Sequence, residues 1–120
     1  RDTAQYSSAY ATYSVSSIGA NFTITDQAGS DGTGGLKIGD YVSISAGVQI
    51  YTHNTVDWST SLGEKPILKK STEIGNGVYL GPNSIIQMGV NIGHKAIIGA
   101  MSFVNKDVPN NRKWFGNDLI

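Results

Sequence analysis

The chain has 120 residues and 12.7 kDa, which suits a single domain spanning 1–120. Nine basic and nine acidic residues cancel, so the electrostatic footprint of a nucleic-acid or anionic-membrane binder is missing. No cysteine is present, which excludes disulfide staples, thiolate metal sites and a thiol nucleophile, and no apolar run approaches the roughly 20 residues of a membrane span.

The start at Arg1 leads us to expect a processed chain or a fragment, and no apolar stretch there reads as a signal peptide. Residues 1–17, with Tyr6, Tyr10 and Tyr13 among serines and alanines, show no regular period. They form either an imperfect first coil or a packing strand. Ile18 and Ile24 then introduce a step of six. The turn-rich segment Ser30-Asp31-Gly32-Thr33-Gly34-Gly35 resets the register.

From Ile38 the step of six is unbroken. It runs through Ile44, Ile50, Val56, Leu62, Leu68, Ile74, Leu80, Ile86, Ile92, Ile98 and Val104. An aliphatic at every sixth residue over this length is a hexapeptide-type repeat. Glycine often follows one residue later, at Gly19, Gly39, Gly75, Gly81, Gly93 and Gly99. A small or apolar residue comes four later, at Val42, Val48, Val78, Ser84, Val90, Ala96, Ser102 and Val108. These constraints predict an all-β, triangular parallel coil. Each six residues make a short strand and a corner, the aliphatic fills the interior, and the glycine allows backbone angles that other residues resist.

Between Asn54 and Glu73 the aliphatic phase continues but the rest of the pattern lapses. Asp57 and Lys69 replace the glycine, and Pro66 takes a small-residue position. About residues 54–73 are therefore read as a loop extruded from the coil, the alternative being one irregular coil.

Three segments carry a resemblance. The run Ile74-Gly75-Asn76-Gly77-Val78-Tyr79-Leu80-Gly81-Pro82-Asn83-Ser84-Ile85-Ile86, with Gly89-Val90-Asn91-Ile92-Gly93, resembles the central coils of the hexapeptide-repeat acyltransferases. Ile98-Gly99-Ala100, with Val104-Asn105-Lys106-Asp107-Val108-Pro109, resembles their last coil, and Phe115-Gly116-Asn117 the short motif that follows. The segment Ile50-Tyr51-Thr52-His53-Asn54-Thr55-Val56-Asp57-Trp58 is similar to bacterial O-antigen and capsule sugar O-acetyltransferases. In the related maltose and galactoside enzymes the histidine falls about two residues later, where this chain has Thr55.

The resemblance implies a left-handed parallel β-helix, a homotrimer with active sites between subunits, acetyl-CoA as acyl donor, and a sugar or nucleotide-sugar acceptor. It also implies a cytoplasmic enzyme of surface-polysaccharide biosynthesis. Acyl transfer to a hydroxyl needs a base that titrates near neutrality, and His53 matches the family's base. His94 falls at a corner that should face solvent. Asn54, Trp58 and Glu64 are the candidate substrate-binding residues. Trp58 would stack on a sugar ring or pin the loop. Asn54, Asp57, Glu64 or a backbone carbonyl would orient the imidazole.

Gly81, Gly99 and Ala100 match positions where the coenzyme's arm approaches the backbone, and Lys106 and Arg112 would meet its phosphates. No metal site is expected, because the γ-class carbonic anhydrases that share this fold need three histidines per zinc and this chain has two. Two rivals stay open: N-acetylation of a nucleotide-linked amino sugar, and a non-catalytic β-helix used for assembly or surface binding.

Overall fold

The computed structural model describes residues 34–120. Before them it describes only the strand segments Ala4–Ser7, Thr12–Val15, Ser17–Ile18, Thr23–Ile24 and Gly29–Ser30. The protein is mostly β, and the chain visits three sheets in turn. The first sheet holds Leu36–Ile38, Thr72–Ile74 and Asn91–Ile92. The second holds Ser43–Ile44, Tyr79–Leu80, Ile97–Ile98 and Lys113–Phe115. The third holds Gln49–Ile50, Ile85–Ile86 and Phe103–Val104.

Pairing along each sheet is parallel with equivalent rungs in register. Ile74 faces Ile92, Leu80 faces Ile98 and Ile86 faces Val104, each 18 positions on. One circuit of the three sheets therefore takes three six-residue repeats. The expected interior follows from this. Ile38, Ile44, Ile50, Ile74, Leu80, Ile86, Ile92, Ile98 and Val104 are all buried. So are the small-position residues Val42, Val48, Val78, Ser84, Val90, Ala96, Ser102 and Val108. Each large aliphatic withdrawn from water here contributes about 1.5–3 kcal/mol before ordering costs. Trp114 closes the far end of the core, buried, with its indole N–H donating to Gly116 O at 2.9 Å.

Two register shifts punctuate the stack. Ile18 pairs with Ile38 and Ser30 with Ile50, each 20 positions apart. Two extra residues thus lie between Ser30 and Ile38, where the sequence predicts the reset. Gly19 and residues 31–33 lie outside the described residues. The second shift is larger. Ile38 pairs with Ile74, Ile44 with Leu80 and Ile50 with Ile86, each 36 positions apart. One whole circuit's worth of chain has no rung in the three sheets. His53–Asn54 and Leu68–Lys69 instead form their own antiparallel ribbon, with His53 opposite Lys69. Between them Val56–Thr60 makes a short helix with no buried residue.

This arrangement agrees with an extruded stretch and corrects two other expectations. Val56, Leu62 and Leu68 keep the phase of six but are 61%, 94% and 38% exposed, so they are not interior rungs. Thr72–Ile74 already belongs to the first sheet, so the return to the stack comes before residue 73. Gly39, Gly75, Gly81, Gly93 and Gly99 are not needed for their backbone angles, since none has a positive φ. A Cβ at Gly81 would stand 2.6 Å from Ala100 N, and one at Gly75 would stand 2.9 Å from His94 N. They are glycines because the next circuit passes too close for a side chain.

The left-handed backbone angle occurs two residues further on, at the corner itself. It is found at Tyr41, Gly47, Gly77, Asn83, Gly89, Lys95 and Met101, with φ between 57° and 78°. Ala4–Ser7 and Thr12–Val15 pair antiparallel and extend the third sheet.

Candidate active site

The site is built where the chain leaves the stack. After Ile50 the chain should turn its corner into the first sheet. Instead it opens into the ribbon that carries His53. A groove of about 360 Å³ lies there, lined by Tyr51, His53, Asn54, Thr55 and Val56 from this stretch. Ile85, Gln87 and Met88 come from the next circuit, and Phe103 from the one after. The outward-facing Ile85 and Phe103, neighbours in the third sheet, give the groove an apolar wall. His53 is half-buried and stands at its edge.

Asn54 also lines the groove, and both ends of its amide are engaged. Its oxygen accepts from Val56 N at 3.2 Å, and its Nδ2 donates to Met88 Sδ at 3.9 Å. The side chain thus ties the ribbon to the next circuit. Trp58 and Glu64 do not line the groove. Trp58 is 47% exposed on the helix, with its indole over the turn at Gly63, where an added Cβ would lie 3.7 Å from Nε1. Glu64 is exposed, and its backbone N–H donates to Ser61 O.

The residues expected to hold the coenzyme are dispersed. Gly81, Gly99 and Ala100 sit at the corner between the second and third sheets, across the third sheet from His53. Lys106 is exposed at the corner that follows the third sheet, one circuit beyond Met88 in register. Arg112 Nε donates to Ile120 O at 3.0 Å, which holds that guanidinium to the end of the chain.

His94 has a structural occupation. Its Nδ1 accepts from Asn76 N at 2.8 Å, while its own backbone N–H donates to Asn110 Oδ1 at 2.7 Å. Asn76 Oδ1 does the same for Asp40 N at 2.8 Å. These side chains climb one corner as a ladder of backbone caps. A second hollow, about 540 Å³ over the first sheet, touches this ladder but none of the candidate site residues. Among the described residues, no group of three or more His, Cys, Asp or Glu could hold a metal ion, and no helix is long and apolar enough to cross a membrane.

Sequence reasoning missed Ile85, Gln87, Met88 and Phe103, because residues 18 or more positions apart meet only once the circuit length is known. It also missed two buried threonines, Thr52 and Thr72, which bracket the excursion. Their signal was available: both are polar and both flank the stretch where the glycine pattern lapses.

The three ladders and the repeat define a hexapeptide-repeat protein, and residues 71–106 match the bacterial transferase hexapeptide model, six repeats. The chain resembles the hexapeptide-repeat acyltransferases in both sequence and fold. It is 32% identical over 91 residues to a chloramphenicol acetyltransferase of Klebsiella aerogenes, covering 61% of this chain and 43% of that protein. It is 31% identical over 109 residues to a galactoside O-acetyltransferase of Lactococcus lactis, covering 86% of this chain and 48% of that one. A hexapeptide-repeat acetyltransferase of Vibrio cholerae, solved with acetyl-CoA, superposes with a TM-score of 0.77 at 29% identity, over 86% of this chain and 56% of the other. The chain thus spans less than half the length of these two curated relatives.

Proposed function

We propose that this chain is an acetyl-CoA-dependent O-acetyltransferase that modifies a sugar hydroxyl of a surface polysaccharide or its precursor. The observation that carries the reading is His53, standing at the edge of a groove of about 360 Å³ where the ribbon leaves the three sheets. The similarity to acetyltransferases, one of them solved with acetyl-CoA, supports the donor. We read residues 1–120 as one left-handed β-helix domain with residues 53–70 extruded, working as a homotrimer in the cytoplasm.

In this reading His53 takes the proton of the acceptor hydroxyl. The oxygen attacks the thioester carbonyl and forms a tetrahedral oxyanion. The C–S bond then breaks, the sulfur takes the proton from the imidazolium, and coenzyme A leaves as the thiol. No residue needs to carry the acetyl group. The apolar wall of Ile85 and Phe103 suits the pantetheine arm or the acetyl methyl. Asn54, tied to Met88, fixes the rim; Trp58 and Glu64, outside the groove, would meet only the outer part of an acceptor. Gly81, Gly99, Ala100, Lys106 and Arg112 would contact the coenzyme only if it runs along the outside of the third sheet or is shared with a neighbouring subunit.

A free-thiol assay with acetyl-CoA against a panel of monosaccharides and nucleotide sugars tests the reading. Acceptor-dependent thiol release, with a product that hydrolyses in mild base, is the expected result. A base-stable product would mean N-acetylation of an amino sugar. No release with any acceptor would favour a non-catalytic assembly or binding role.

A further inference from the structure

We propose that Thr72 is a positioning residue for His53, an inference that rests on His53 being the base. Thr72 is fully buried at a place where its register partner in the first sheet is Leu36. A hydroxyl in that apolar column needs partners, and it has two. Oγ1 donates to Tyr51 O at 2.8 Å and accepts from Gly89 N at 3.0 Å.

Those partners are not arbitrary. Tyr51 lies two residues before His53 and lines the groove itself. Gly89 follows Met88, which lines the groove and takes the Asn54 amide. One hydroxyl therefore joins the strand that leaves the stack, the strand that returns to it, and the next circuit. Thr52 strengthens the same junction. It is also fully buried, its Oγ1 accepts from Gly34 N at 2.8 Å, and its carbonyl accepts from Lys70 N at 2.9 Å.

The physical need is clear. Leaving the stack breaks the parallel ladder, so backbone groups near the exit lose the partners the ladder would supply. Buried backbone groups left unpaired are costly, so something must replace those bonds. The two threonines do this, and in doing so they fix where the ribbon starts. A base displaced by about 1 Å can lose a factor of about 100 in rate, so the anchor of this strand matters to chemistry as well as to folding.

The test compares Thr72→Val, which keeps the shape and removes the hydroxyl, with Thr72→Ser, which keeps the hydroxyl. The expected result is that Thr72→Val lowers kcat about 10- to 100-fold. KM for acetyl-CoA should stay within about twofold, and Thr72→Ser should recover most of kcat. NMR of the two imidazoles supplies a readout independent of turnover. His53 ring signals should shift in Thr72→Val, while those of His94, held on the corner ladder by Asn76 N, should not. Wild-type kcat in Thr72→Val, a Thr72→Ser as impaired as Thr72→Val, loss of the fold, or equal shifts of both rings would each overturn the inference. If His53→Ala leaves turnover unchanged, the catalytic reading fails instead, and the ring signals still report whether Thr72 positions the imidazole.

Discussion

Residues 74–108 and residues 53–70 share one spacing of aliphatics and put it to opposite uses. In the first region Leu80 sits on a rung between Ile44 and Ile98, wholly buried. In the second, Leu62 occupies the same phase and is 94% exposed. The excursion displaces the register from 18 to 36 positions, a whole number of six-residue steps, so the phase passes through it undisturbed. Periodicity reports phase, and only the accompanying residues report whether a rung has a neighbour above and below. The stacked circuits carry the fold, and the segment that leaves them carries His53, the base we propose.

The sharpest contrast lies between those two leucines. Leu80→Ala should cost about 2–5 kcal/mol, because it opens a cavity in a column that cannot collapse. Leu62→Ala should change stability by no more than about 0.5 kcal/mol. Denaturant melts of the two variants measure the difference, and similar losses would mean that residues 53–70 are packed as the circuits are. Next in size is Gly81→Ala. Its Cβ would meet Ala100 N at 2.6 Å, backbone that cannot swing aside, so about 1–3 kcal/mol should be lost. Met101→Gly should have a small effect of the opposite sign. Met101 is exposed and holds φ at 60°, a conformation costly for any side chain. Relieving it should outweigh the added freedom of the unfolded chain by about 0.5 kcal/mol, raising the melting temperature slightly.

Much of this was legible in the residues. The buried rungs, the small-residue column, the reset before Ile38 and the abnormal stretch after Asn54 each left a mark at a fixed spacing. The glycine after many of the aliphatics was visible, but its cause was not. Close approach of the next circuit is a property of stacking, while the left-handed corner falls on Gly47, Gly77, Gly89 and Asn83, which suit it, but also on Tyr41, Lys95 and Met101, residue types that do not announce it.

Of the residues that line the groove, the candidate site read from the sequence held His53 and Asn54 alone. Trp58 and Glu64 neighbour His53 in sequence but not in the groove, whereas Met88 and Phe103 are distant in sequence and line it. Arg112 was expected to meet the coenzyme's phosphates, and in the structure its Nε donates to the carbonyl of Ile120. Thr52 and Thr72 were visible as polar residues at the ends of the irregular stretch, but the backbone groups they pair with are not displayed by a sequence.

The central claim is that the stack holds the fold while one imidazole at its exit does the chemistry. His53→Ala, assayed for coenzyme A release and melted in parallel, tests it most directly. The account predicts a fall in rate of about 10²–10⁴-fold with an unchanged melting temperature. Undiminished release from the folded variant would contradict it.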